Sequence, residues 1–442
     1  MSGTYESSPS PADVGFSVVS RRSLLAGAAG IVGGGVLLAA CGSDEKANDG
    51  TAAAGVPADV GTVTIGLNEA PTAGKPFDSL KAAVDSTGIT TTINGVDHNS
   101  FQENITTYLA QPEDVFTWFA GYRMRFFADK GLAGDVSSVW ENLPDMAASF
   151  KTAATGNDGK QYFVPLYYYP WAVHYRKSVF AEKGYTVPTN KAELVALATK
   201  MQDDGLIPFA YANDGKWPVQ GTFDILNMRI NGYQYHVDLL AGKESWTDER
   251  TKAVFTTWAE LLPFHQENPN GRKWEEAATA LENKEAGMFY LGTFVASNST
   301  DQEYLDDLDF FNFPALDDAI GADALDAPID GFMMAAKPKN EAGAKALLAG
   351  LGAAAAFDAY NKVNPSNVGA NGKVDQSAYT AVQKKSAELV GAAKNIAQFL
   401  DRDTSPDFVS NVIADAFASF HTDPTQIDSI LKTIEEQKSV YL

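Results

Sequence analysis

The chain has 442 residues, 45% hydrophobic and 20% charged, a globular composition with enough length to bury its own core, which excludes disordered and collagen-like architectures. With 34 Lys and Arg against 56 Asp and Glu the net charge is −22, so a nucleic-acid partner, which needs a basic surface to replace phosphate counterions, is set aside. A single cysteine, Cys41, rules out an internal disulfide or a cysteine-rich zinc site, and the five histidines stand singly, with no pair at metal-ligand spacing.

The N-terminus reads as an address. An uncharged segment rich in Ala and Gly, residues 24–40, follows Ser20-Arg21-Arg22 and is short for a membrane span, which fits a signal peptide. The Arg21-Arg22 pair resembles a twin-arginine export signal. The apolar run ends in Leu38-Ala39-Ala40-Cys41-Gly42, which resembles a lipobox. That resemblance implies cleavage before Cys41 and acylation of its thiol and amine, an anchor on the outer face of the cell membrane. Residues 41–60 then form a lipidated cysteine and a small, polar, aperiodic tether.

Beyond the tether, strand-like and helix-like segments alternate. Thr62–Leu67 has a two-residue period, and Val115–Phe119, Tyr162–Leu166, Gly287–Leu291, Leu308–Phe313 and Phe332–Ala336 are short apolar runs between turn residues. Asn190 with Glu193 predicts a capped helix, as does Asn340 before EAGAKALLAGL, and Asp423-Pro424 is expected to open the last helix. Such alternation implies α/β sheets with helices on both faces, and chemistry in a cleft.

A cleft for sugar would pair aromatic faces, for the C–H side of a pyranose, with planar polar groups for its hydroxyls. In YFVPLYYYPW, residues 162–171, three consecutive tyrosines cannot face one core, and Pro165 and Pro170 argue against a long regular strand. At Asn213–Pro218 a turn presents Trp217, and Asp224, Asn227 and Asn231 then make one polar stripe on a short helix. Asp114–Gly121 is a strand running into a Gly loop, from which Trp118 is the ring expected to face a ligand. Trp140, Trp258, Met333 and Met334 read as core. Asp401, Arg402 and Asp403 read as a loop, most simply a surface ion-pair cluster. No P-loop, nucleophile elbow or dinucleotide fingerprint occurs.

PEDVFTWFAGYRMRFFADKGL, GKQYFVPLYYYPWAVHYRKSVFAEKGYTVPTNKAEL, DGLIPFAYANDGKWPVQGTFDILNMRINGY, AGMFYLG and PIDGFMMAAKPKNEAGAKALLAGL, in this order after a lipobox, resemble the extracellular solute-binding proteins of carbohydrate ABC transporters, the group of maltose-binding protein. The resemblance implies an α/β, two-lobed, periplasmic-binding-protein-like fold, each lobe a sheet flanked by helices and joined by hinge crossings. It puts residues 61–168 plus 332–364 in one lobe and 169–331 plus 365–442 in the other, with crossings near Tyr167–Trp171, Ile329–Phe332 and Asn364–Asn367. It suggests ligand contacts at His98, Asn99 and Trp118, at Trp217, Asp224, Asn231, Gly292 and Thr293, and at Tyr169, Trp171 and Arg402. The expected function is capture of a di- or oligosaccharide by a monomer, without catalytic residue, cofactor or metal, and delivery to permease subunits with a cytoplasmic ATPase. A binder of another solute on the same fold, or a secreted polysaccharide hydrolase, remain as alternatives.

Overall fold

The computed structural model describes residues 60–442, so the expectations on Arg21, Arg22, Cys41 and nearly all of the tether lie outside the described residues. Two apolar cores divide the chain. The first is drawn from Val63 to Leu166 and from Ile329 to Tyr379. The second is drawn from Tyr169 to Ala324 and from Ala397 to Ile434.

The strands are β1 (Val63–Leu67), β2 (Thr91–Gly95), β3 (Val115–Phe119), β4 (Phe163–Tyr168), β5 (Trp171–Arg176), β6 (Ile207–Ala210), β7 (Ala286–Gly292), β8 (Leu308–Phe311), β9 (Ala324–Asp326), β10 (Ile329–Met334), β11 (Val368–Gly369) and β12 (Asn395–Ala397). The first sheet has the order β11-β4-β10-β3-β1-β2, the second β6-β7-β5-β8, and β9 pairs with β12. Strand β1 runs parallel to β2 and β3, whereas β10 is antiparallel to both β3 and β4. Helices pack around both sheets, the fold expected from the alternating pattern.

Local signals explain the elements and their limits. The Asn190 side chain accepts the Glu193 N–H at 3.0 Å and starts the Lys191–Asp203 helix, and Asn340 does the same for Gly343 N–H at 2.9 Å. Asp423 instead closes a turn by accepting the Thr425 N–H at 3.0 Å, and the last helix begins later, at Ile427. Pro165 lies inside β4, which is six residues long and irregular in its pairing. The pairing of β4 with β10 skips there, Asp330 facing Tyr167 and Gly331 facing Pro165, so the missing N–H falls at an irregularity. Trp140, Trp258, Met333 and Met334 are buried.

The chain passes from the first sheet to the second at Tyr169-Pro170, between β4 and β5, and returns at Ala327-Pro328, before β10. The third passage differs from the expectation at Asn364–Asn367. Strand β11 pairs with Tyr167 and Tyr168, and Val374 and Tyr379 still pack in the first core. Only with the Ala381–Ala392 helix does the chain reach the second sheet, where Lys385 Nζ binds Asp309 Oδ1 at 2.6 Å. The short Val-Gly pair was too brief to read as a strand.

Candidate functional site

The floor of the cleft is built where β10 is irregular. Gly331 is required there, because a Cβ would stand 2.1 Å from the Val164 carbonyl oxygen. An irregularity of this kind re-aims side chains, and Asp330 beside it lines a cavity of about 470 Å³ between the lobes. Arg402 Nη1 donates to Asp330 Oδ1 at 2.7 Å and Nη2 donates to the Tyr169 hydroxyl at 3.0 Å, which in turn donates to Asp330 Oδ2 at 3.4 Å. The guanidinium carbon stands 3.8 Å from the Phe119 ring centroid. Burial pushes the Asp330 carboxyl above the usual range, and Arg402 offsets only part of that rise.

The first-lobe wall follows the carboxyl ends of β1 and β2, where open α/β sheets place ligands. Asp97 caps the His98–Glu103 helix by accepting the Ser100 N–H at 3.0 Å. His98 Nδ1 lies 3.2 Å from Glu69 Oε1, and Nε2 lies 2.7 Å from the Gln102 amide nitrogen. Arg123 holds Gln102 Oε1 at 2.6 Å and so turns that amide NH2 toward the ring. Burial works against a charged imidazole, and Glu69, by hydrogen bond and charge, raises its pKa net. The amide NH2 makes Nε2 the acceptor there and leaves Nδ1–H to face Glu69. Arg123 also reaches Asp401 Oδ2 at 3.2 Å, which ties this wall to the hinge.

The second-lobe wall meets the first directly. Gly215, at φ +74°, lets the Asn213–Pro218 turn approach Asn99, since a Cβ would lie 2.6 Å from Asn99 Nδ2. Trp217 Nε1 donates to Asn99 Oδ1 at 3.2 Å, and elsewhere Lys75 Nζ donates to the Ser299 carbonyl at 2.5 Å. The lobes are therefore closed on the cavity. Phe294 packs edge-on against Tyr169 at 5.3 Å and against Trp274 at 5.2 Å. Trp171 stacks on Phe399 at 4.8 Å and meets Trp217 edge-on at 6.2 Å.

Of the residues suggested in advance, His98, Asn99, Tyr169, Trp171, Trp217 and Arg402 line this cavity together. Four groups do not. Trp118 points from β3 into the first core, packed on Phe101 and Phe127 and under Arg123, because alternation on the strand gives the side toward His98 and Arg402 to Phe119. Asp224 and Asn231 belong to a polar stripe that runs inward from the Pro218–Ile230 helix. Asp224 binds Leu400 N–H at 2.7 Å, Asn227 binds His236 at 3.2 Å, and Asn231 binds the Arg250 carbonyl at 3.0 Å. Gly292 and Thr293 sit behind the wall, where Thr293 N–H donates to the Pro170 carbonyl at 3.2 Å, and Phe294 reaches the cavity in their place. Asp401, Arg402 and Asp403 are no surface cluster, since Asp401 and Arg402 are each 7% exposed.

Glu69, Asp330, Trp274 and Phe399 line the cavity without having been singled out as contacts. Trp274 carried a signal like the one that flagged Trp217, a ring placed just after an Asn- and Gly-bearing turn, here Pro269–Gly271, at the start of the Trp274–Glu282 helix. Among the described residues no group of three or more His, Cys, Asp or Glu is placed to hold a metal. The arrangement suits a neutral, hydroxylated ring, with aromatic faces on one side and paired Asp, Arg, Asn and Glu on the other.

The profile of the family described as bacterial extracellular solute-binding protein matches residues 70–356. The chain is 44% identical to the bacterial solute receptor AcbH, described as having an exclusive substrate preference for β-D-galactopyranose. The two superpose with a TM-score of 0.82 over 86% of this chain and 99% of that one. An uncharacterized ABC transporter extracellular-binding protein of Pyrococcus horikoshii is 23% identical over 262 residues, so the match spans 58% of this chain and 58% of that relative's length. A probable sugar-binding periplasmic protein of Rhizobium meliloti is 22% identical over 325 residues, 70% of this chain and 76% of the relative.

Proposed function

The chain belongs to the family of bacterial extracellular solute-binding proteins, and from that premise we propose that it captures a carbohydrate between its lobes outside the cell and delivers it to an ABC importer. The observation that carries this reading is the cavity itself. A hinge-borne Asp330–Arg402–Tyr169 cluster faces Trp217, Trp274 and Phe294 in about 470 Å³, a space suited to a mono- or disaccharide. Likeness to a receptor that prefers β-D-galactopyranose makes galactose and its disaccharides the first ligands to try.

In this mechanism the polar cluster at the hinge and the Glu69–His98 pair take the sugar hydroxyls while the rings take its apolar face. Closure is stabilised only as far as the sugar binds the closed form better than the open one. The closed form is what the permease subunits, powered by a cytoplasmic ATPase, receive. The mature protein acts as a monomer that starts at Cys41, lipid-anchored on the outer face of the membrane. Mass spectrometry of the membrane fraction checks this by looking for an acylated N-terminal Cys41 peptide.

The deciding experiment is a thermal-shift panel of mono-, di- and trisaccharides, with chromatography of each mixture afterwards. A bound sugar at about a hundred times its Kd adds about 2.7 kcal/mol of stability and is recovered intact. No shift with any sugar refutes the carbohydrate reading, and cleaved sugar would mark a hydrolase instead.

A further inference from the structure

The cavity wall between Gln398 and Asp403 contains the backbone conformation hardest to explain. Phe399 holds φ +119° and ψ 145°, a region open in practice only to glycine. A side chain there is strained and persists only where its surroundings impose it. Here both flanking amides are tied to carboxyl oxygens. Gln398 N–H donates to Asp403 Oδ2 at 2.8 Å, a local clamp, while Leu400 N–H donates to Asp224 Oδ2 at 2.7 Å, from a residue 176 positions away.

Asp224 shares a helix face with two other residues of the same wall. Trp217, Gly221 and Asp224 recur at helical spacing along the Pro218–Ile230 helix and its start. Trp217 lines the cavity. Gly221 is bare backbone against the stacked Trp171–Phe399 pair, since a Cβ would lie 2.6 Å from the Trp171 ring and 3.0 Å from that of Phe399. Asp224 is fully buried and does not reach the cavity.

We propose that Asp224 is a positioning residue for the sugar cavity, its carboxyl holding the Leu400 N–H so that the turn after it presents the Phe399 ring and the Arg402 guanidinium in their binding arrangement. The inference deepens the carbohydrate reading and rests on it for its effect on affinity, though not for its effect on the turn. Burial, with Asp326 nearby, pushes the Asp224 carboxyl well above the usual range, and in either protonation state its role toward Leu400 is that of an oxygen acceptor. An amide reproduces that acceptor.

The test compares Asp224→Ala with Asp224→Asn in the mature chain, by calorimetric titration with D-galactose and by hydrogen exchange across Gln398–Asp403. Loss of a buried acceptor predicts about tenfold or weaker binding and faster Leu400 exchange in Asp224→Ala, with Asp224→Asn within about threefold of the parent. A role confined to stability would lower the unfolding temperature of Asp224→Ala and leave Kd and Leu400 exchange unchanged, and that result overturns the proposal. If the parent binds no sugar, the functional reading falls and exchange alone judges Asp224. If Asp224→Ala does not fold, the parent decides, because Leu400 must exchange as slowly as the core strands, and rapid exchange there refutes the clamp.

Discussion

Replacing Arg402 by Leu removes the cation from a site where it and Asp330 are 8% and 14% exposed. The variant loses the 2.7 Å bond to Asp330 and the 3.0 Å bond to the Tyr169 hydroxyl, and leaves a carboxylate without its partner. Breaking a buried pair in this way costs about 3–5 kcal/mol. The sign of its pH dependence follows from Asp330. Its folded-state pKa is already raised by burial, and Arg402 is the first of the groups that hold it down. Without Arg402 the folded state binds the Asp330 proton more tightly than the unfolded chain does. The Asp330 contribution to stability is then fully present below the ordinary carboxyl pKa, and is lost as pH rises through the raised one. Each pH unit of descent through that window returns up to about 1.4 kcal/mol. Urea unfolding between about pH 8 and about pH 5 should therefore show the deficit against the parent shrinking toward acid, and Asp330→Asn in the same chain should remove most of it. A deficit that is constant with pH, or grows toward acid, would refute the account of the hinge pair.

Two further variants separate roles that the sequence left merged. Trp118→Phe should lower the unfolding midpoint by the equivalent of about 1–3 kcal/mol through lost core packing, yet leave sugar Kd within about twofold; a tenfold loss would return Trp118 to the site. Gly215→Ala touches no sugar, but its Cβ would press on Asn99 at 2.6 Å and strain a backbone at φ +74°. It should weaken sugar binding by about tenfold, for about 1.4 kcal/mol of closure energy, and small-angle scattering should show a more open liganded form.

The α/β character, six of the twelve described strands (β1, β3, β4, β7, β8 and β10) and both Asn caps were legible because periodicity and capping are local. What escaped depended on long-range pairing. Trp118 was misplaced because a strand's residue pattern does not say which face meets the cleft, and five consecutive buried residues in β3 erase the alternation. Asp224 and Asn231 read as a polar stripe that could have faced solvent or ligand, and their partners, Leu400 and Arg250, lie far off in the chain. Arg402 looked like part of a surface cluster because its partners Asp330 and Tyr169 lie 72 and 233 positions away in the sequence. Rings beside turns were the most reliable local clue, and Trp217 and Trp274 both satisfy it.

The position of β10 between β3 and β4 sets a timetable for making this protein. Synthesis delivers β3 and β4 early, then the whole of β5 to β9, and only then the strand that joins the first two. Until Ile329–Met334 emerges, the inner edges of β3 and β4 stand unpaired beside apolar faces, the geometry that invites intermolecular pairing. The first lobe to be started is thus among the last parts to be finished, and a chain cut anywhere before Ile329 should accumulate as an aggregate rather than as a folded half.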